Sequence, residues 1–263
     1  MSHKRTLSRR FARDLILVMI VLSAAVIGPV VYFSLTAQRD ISEKYIDGVA
    51  ARAVAAFQSM VETMNRSIEM VRDWCASGRT SLADTDGLNG LLFPLLKRER
   101  LLFGISVADT HGSSYYVATE GDGWRTGETR IGESGLFSTR RSWDAEQQPV
   151  AEEKEPSQYD PRKRPWFLPA LSAETVSWTV PYIFYNRKET GITASLSYGQ
   201  AEDSKQTVVA FDILLDDLFQ EIQRMVPIQN SRVFIFRQDA MLYMPESKDS
   251  TPDFKSMARS RIC

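Results

Sequence analysis

Two hydrophobic patterns of different period divide the N-terminal third of the chain. From Leu15 to Ala37 runs LILVMIVLSAAVIGPVVYFSLTA, with no charged residue. As a helix rising 1.5 Å per residue it would reach about 34 Å, enough for a hydrocarbon core of about 30 Å. Gly28-Pro29 is compatible with such a span, because these breakers are common in membrane helices. A cleavable signal peptide would have a shorter apolar region and a small-x-small site, and Leu35-Thr36-Ala37 offers a large residue there. A buried core helix fits poorly with the charges in front. The segment therefore predicts an uncleaved membrane anchor.

Beyond it the pattern changes to spacings of three and four: Ile41, Tyr45, Val49, Ala53, Phe57, Met60, Met64, Ile68 and Val71. That stripe predicts one amphipathic helix of about ten turns, ending near Gly78. A coiled-coil stalk has the same pattern. Both readings hold if the helix packs on its own domain and also pairs with its copy in a homodimer.

Period-two and β-branched runs follow. Leu101–Val107 and Ser113–Ala118 predict two strands around a turn at Asp109-Thr110-His111-Gly112, after a loop at Asp84-Thr85-Asp86-Gly87. Residues 119–158 read as a polar region with Trp124 and Trp143 as packing points. Its acidic run Ala151–Glu155 reads as solvated, without partners. Thr179–Tyr185, Gly191–Ser197 and Thr207–Leu214 predict three more strands, the last of them central. Asp217–Gln220 predicts a helix start, running to about Met225. Arg232–Phe236 and Met241–Met244 predict strands of a second, similar unit.

Charge sharpens the membrane reading. Lys4, Arg5, Arg9, Arg10 and Arg13 precede the apolar segment against Asp14 alone, which predicts a cytoplasmic N-terminus and an extracytoplasmic remainder. Removing that +4 from the total of −1 leaves −5 for residues 38–263. A mildly acidic body argues against nucleic-acid binding, which needs a concentrated basic surface. The chain has only Cys75, Cys263, His3 and His111 as soft ligands, so His/Cys metal sites and Cys–His nucleophiles are not expected. No nucleophile–base pair is visible, so no enzyme activity and no cofactor is expected. A membrane-anchored hydrolase and a non-binding dimerisation fragment are the alternatives.

The stretch most suggestive of chemistry is Tyr159–Phe167, YDPRKRPWF. Pro161 and Pro165 stiffen a backbone carrying Arg162, Lys163 and Arg164 beside Tyr159, Trp166 and Phe167. A guanidinium can hold a carboxylate through two parallel hydrogen bonds, and an indole N–H adds a fixed donor. Solvated arginines around a core tryptophan would give the same spacing. Asp212, inside an apolar strand, is costly unless paired.

This run, with Trp178-Thr179-Val180-Pro181-Tyr182, Gly191-Ile192-Thr193 and Val208-Val209-Ala210-Phe211-Asp212 in the same order, resembles the double Cache family. These are extracytoplasmic sensor domains of two PAS-like modules, carried by chemoreceptors, sensor kinases and nucleotide cyclases. The resemblance covers residues 38 to about 245. It implies an α+β fold: the membrane helix, the long amphipathic helix, an antiparallel-sheet module and a second, incomplete module. The boundaries are a basic tail at 1–14, the membrane helix at 15–37, the long helix with the first module at 38–226, and the partial module at 227–263.

Members that bind amino acids carry a Tyr, Arg, Trp, Tyr and Asp pattern, matched here by Tyr159, Arg164, Trp166, Tyr182 and Asp212. The resemblance implies that Arg164 and Trp166, helped by Tyr159, take a ligand carboxylate, and that Asp212 and Tyr182 take its ammonium. Phe167 stands where many members have Tyr. The expectation is a single-pass sensor in a bacterial inner membrane, binding a small amino acid, carboxylate or amine. The polar stretch after Met244 holds no second apolar segment, so the chain reads as a receptor truncated before its output domain.

Overall fold

The computed structural model describes residues 3–132, 135–199, 205–225, 235–236 and 242–243. Internal contacts divide the chain into two compact units, Met1–Ala55 and Ala56–Cys263. The described residues of the first are all helical, the opening part of α1 (His3–Ala76). Within it Leu15–Thr36 is long and apolar enough to cross a membrane, and none of it is buried in protein.

In the second unit the remaining turns of α1 bury one face. Met60, Met64, Ile68, Val71 and Cys75 recur at helical spacing and all join the main core. The expected stripe is thus buried where it meets a sheet, whereas Tyr45, in the first unit, is 58% exposed. The helix stops at Ala76, and Gly78 takes φ +74° just beyond, a conformation that favours glycine.

A second helix, α2 (Thr85–Arg98), occupies residues expected to begin as a loop. The loop-like Asp84 is its N-cap: the carboxylate accepts a hydrogen bond from the Gly87 N–H at 2.9 Å. Leu88, Leu91, Leu92, Leu95 and Leu96 then enter the core. The expected loop at Asp84–Gly87 is instead a helix start, because a capping signal and a loop signal use the same residues.

The sheet is antiparallel. β1 (Gly104–Asp109), β2 (Ser114–Glu120), β3 (Gly123–Gly132), β4 (Gly135–Trp143) and β5 (Pro149–Pro156) form a meander. On the other side of β1 lie β9 (Thr207–Leu214) and β8 (Thr190–Tyr198), with the two-residue strands β6 (Ser177–Trp178) and β7 (Tyr182–Ile183) both pairing to β8. Residues 119–158, expected as a polar connection, are mostly long strands. Their alternation is weak because β5 is exposed along its whole length. The acidic run on β5 does have partners: Glu152 pairs with Arg141 at 2.6 Å and Glu155 with Arg140 at 2.7 Å. The single strand expected over Thr179–Tyr185 is split. Pro181 has no N–H to offer the ladder, so pairing stops between Thr179 and Tyr182.

β9 is central, between β1 and β8, and each of its residues is buried. Its alternation divides the unit. Val209, Phe211 and Ile213 face the core shared with α1 and α2. Val208, Ala210, Asp212 and Leu214 face the other way, toward the 3-10 turn Pro161–Lys163, the short helix α3 (Phe167–Ser172) and the β7–β8 loop. α4 (Leu215–Met225) follows β9 directly, two residues earlier than expected, and returns Leu215, Leu218, Phe219 and Ile222 to the main core. Of the expected strands in the partial module, only Ile235–Phe236 and Leu242–Tyr243, which pair, lie within the described residues.

Candidate functional site

The face of the sheet opposite the main core is built from small residues. Register places Gly104, Asp212 and Thr193 side by side, then Ser106, Ala210 and Ser195. Small side chains on three adjacent strands leave this face open to whatever the loops lay over it. Asp212 stands there between two apolar clusters. One holds Ala108, Trp166, Phe167, Ala170, Val208 and Ala210. The other holds Phe103, Ala118, Phe184 and Leu214.

The segment Tyr159–Phe167 is shaped by its own side chains. Asp160 caps the 3-10 turn, accepting from the Arg162 N–H at 3.0 Å, and also pairs with the Arg162 guanidinium at 2.9 Å. That pairing holds the Asp160 carboxyl below its ordinary range. Arg162 is thereby taken, and Lys163 is exposed. Of the three cations, Arg164 alone is directed at the site. Its Nη2 donates to the Ile183 carbonyl at 3.2 Å, and its guanidinium lies 5.4 Å from the Tyr182 ring centroid and 6.0 Å from that of Tyr185. Tyr185 in turn packs on Tyr159, centroids 5.1 Å apart. Trp166 is only 2% exposed and packs against Phe167, while Ser195 donates to its carbonyl at 3.0 Å. It forms the wall between α3 and the sheet.

Asp212 is 7% exposed. Its Oδ1 accepts from the Thr193 hydroxyl at 2.7 Å, and the Thr193 oxygen lies 2.7 Å from the Tyr182 hydroxyl. No ion pair joins Arg164 to Asp212, although the positive charge is felt at the carboxylate. Burial pushes the Asp212 carboxyl up to about 7, with the Thr193 hydrogen bond and Arg164 pulling the other way. The phenols of Tyr116, Tyr159 and Tyr182 are all pushed up, first by burial and then by the Asp212 charge.

Four of the five residues singled out from sequence, Tyr159, Arg164, Tyr182 and Asp212, thus share one electrostatic environment. The fifth, Trp166, is packed in the cluster against which Tyr182 leans. Sequence reasoning missed Tyr116 and Thr193. Tyr116 follows Tyr115 directly, and alternation sends one to each face. Only the register with Ser106 shows that Tyr116 belongs to the site. Its ring lies over Gly104, where an added Cβ would come within 2.7 Å of the phenol oxygen. Thr193 had only a weak signal, because β8 also carries Thr190, Ser195 and Ser197, and the register opposite Asp212 is what distinguishes it.

Among the described residues no three His, Cys, Asp or Glu side chains stand together as a metal-binding group. The paired features, a guanidinium under aromatic rings and a buried acid with hydroxyl partners, suit a small molecule with groups of opposite charge.

No family model and no curated protein sequence matches the chain. Solved structures do. The ligand-binding domain of the Pseudomonas aeruginosa amino-acid chemoreceptor PctB, in complex with L-Arg, is 19% identical with a TM-score of 0.53, covering 79% of this chain and 72% of that one. The domain of the Campylobacter jejuni chemoreceptor Tlp3, with 4-methylisoleucine, is 15% identical with a TM-score of 0.48, covering 74% of this chain and 66% of its own. That of Pseudomonas fluorescens CtaA, with L-valine, is 18% identical with a TM-score of 0.46, covering 70% and 67%. The chain thus spans about two thirds of the length of these domains. The likeness to PctB places the fold: the chain shares the α+β architecture of that protein's ligand-binding domain.

Proposed function

We propose that the chain is a membrane-anchored sensor whose domain binds a small amino acid on the face of the sheet that carries Asp212. Leu15–Thr36 is the anchor, with the basic tail on the cytoplasmic side of a bacterial inner membrane and the domain outside. The observation that carries the reading is the arrangement of opposite charges. Arg164 and Asp212 come from distant parts of the chain, face the same site and are not paired with each other. An α-carboxylate would lie at Arg164, within the aromatic enclosure of Tyr159, Tyr182 and Tyr185. An ammonium would lie at Asp212 and Tyr182, and Trp166 would close the wall behind. The PctB domain of this fold holds L-Arg. The long helix would pair with its copy in a homodimer, and ligand binding would shift it.

The test is calorimetric titration of the full chain in detergent micelles with each of the twenty standard amino acids, their des-amino acids and their decarboxylated amines. The expected result is saturable binding of at least one amino acid, lost in both Asp212→Ala and Arg164→Ala. Each one-ended analogue should bind at least tenfold more weakly. Binding that survives both substitutions, or no binding by any of the compounds, overturns the reading.

A further inference from the structure

We infer that Thr193 is the positioning residue of this site: its single hydroxyl joins Tyr182 to Asp212 and turns both toward the ligand as hydrogen-bond acceptors. The inference rests on the amine-binding reading above and adds the group that gives that end of the site its polarity.

Thr193 is fully buried on β8, at the register position directly opposite Asp212. A hydroxyl has one proton to donate and two lone pairs to accept with. The Thr193 proton goes to Asp212 Oδ1 at 2.7 Å. The 2.7 Å contact between Thr193 and Tyr182 must then take its proton from the tyrosine. The chain of donation runs one way, from Tyr182 through Thr193 to Asp212. Tyr182 spends its only proton inward and presents lone pairs outward. Asp212 keeps Oδ2 as an acceptor. Two acceptors, on the strands either side of β8, demand a donor-rich partner, and an ammonium supplies three N–H groups. A hydroxyl in the same place would leave one of them unmatched, and a second carboxylate would leave both.

The backbone holds this geometry independently of the ligand. Thr193 N–H donates to Thr179 Oγ1 at 2.9 Å, and Thr179 N–H donates to the Thr193 carbonyl at 2.9 Å. Both main-chain groups of Thr193 are therefore occupied, and the residue is locked in place beside Asp212. The groups facing Asp212 are Tyr116 from β2, Tyr159 and Arg164 from the segment before α3, and Tyr182 from β7. Arg164 is the one cation among them, and it is turned toward Ile183. If Asp212 takes a proton, donation can reverse: the acid donates to Thr193, Thr193 to Tyr182, and Tyr182 turns its proton outward. The same relay then presents a donor, which repels an ammonium. Affinity for amines should therefore fall on the acid side of the Asp212 titration.

The experiment has a ligand-free arm and a binding arm, both on the full chain in detergent micelles. In the first, infrared titration follows the protonated carboxyl stretch assigned to Asp212 by its absence in Asp212→Asn. Thr193→Val keeps the shape and removes the donor to the charged form. It is expected to raise the midpoint by about one pH unit. Thr193→Ser is expected to return it to near the wild-type value, and Tyr182→Phe to shift it upward by less than Thr193→Val. In the second arm, each standard amino acid and its des-amino acid are titrated into wild type and Thr193→Val. The valine variant should weaken the amino acid at least tenfold and the des-amino acid less than threefold.

An unmoved Asp212 midpoint in both Thr193→Val and Tyr182→Phe overturns the inference, as does equal weakening of amine and des-amino ligands. A midpoint that moves as expected while no amino acid binds wild type retains the relay and removes the proposed function. Rescue by serine separates positioning from folding, because a merely structural threonine has no reason to set the titration of its neighbour.

Discussion

Replacing Asp212 by Asn should stabilise the empty domain at alkaline pH while abolishing amine binding. The carboxyl titrates at about 7 against an ordinary 3.8, because burial disfavours its charged form more than Thr193 and Arg164 favour it. Each pH unit of such a shift corresponds to about 1.4 kcal/mol, so the ceiling on the effect is about 4 kcal/mol. The sign follows from proton linkage. Between about pH 4 and pH 7 the folded form holds this proton and the unfolded form has lost it. Raising pH through that window therefore removes stability, and above about pH 7 the loss is complete. Asn has no charge to bury, and its amide oxygen can still accept from Thr193. At pH 4 the two proteins should melt together. At pH 8 the variant should melt higher, by about 10 °C if a domain of this size moves 2–4 °C per kcal/mol. The assay is tryptophan-fluorescence melting of both proteins in detergent micelles at the two pH values. Asp160 and Asp217, whose carboxyls are also shifted, are common to both and cancel in the difference. Wild type and variant melting in parallel at both pH values would refute the reasoning, since it would mean that Asp212 is either solvated or already neutralised.

Three other substitutions probe separate parts of the fold. Gly104→Ala should weaken amino-acid binding at least tenfold and destabilise by about 1–3 kcal/mol, since the new methyl group must displace the Tyr116 ring; calorimetry and urea unfolding read the two effects. Tyr115→Phe should cost about 1–3 kcal/mol in urea unfolding, because it deprives the buried Asn89 oxygen of its donor. Trp178→Phe should cost about 1 kcal/mol in the same assay, since it loses the 3.0 Å indole bond to Asn65 on α1 while Asn65 stays within reach of water.

What could be read from sequence divides along physical lines. β9 was legible to the residue because it is buried on both faces and rich in β-branched side chains, a pattern no loop shares. α1 was legible because its apolar residues repeat at helical spacing over many turns. β3, β4 and β5 were not, since strands that bury little leave little alternation, and the exposed glutamates of β5 look like a solvated run until their partners Arg140 and Arg141 are placed opposite. α2 was missed through the ambiguity of Asp84, a cap and a turn former at once. At the site, residue spacing alone named the segment but not which cation would be directed at it; the family resemblance singled out Arg164. The physical basis of that selection, Asp160 occupying Arg162, is visible only once the 3-10 turn is formed.

The placement of Asp212 explains why a strand so well suited to a core carries an acid at all. Phe211 and Ile213, its chain neighbours, are fully buried in the main core, and they fix the strand whether or not the site is filled. Asp212 lies on the opposite face of the same rigid element, between clusters that exclude water from both sides. Moved to a loop, the carboxylate would be solvated, would titrate near its ordinary value, and would gain little by meeting an ammonium. Held here, it is short of partners in the empty domain and, under the proposed function, would gain them from a ligand. On that proposal the stability that the empty fold gives up is available to binding, and a variant that recovers it, such as Asp212→Asn, should lose the ligand in the same step.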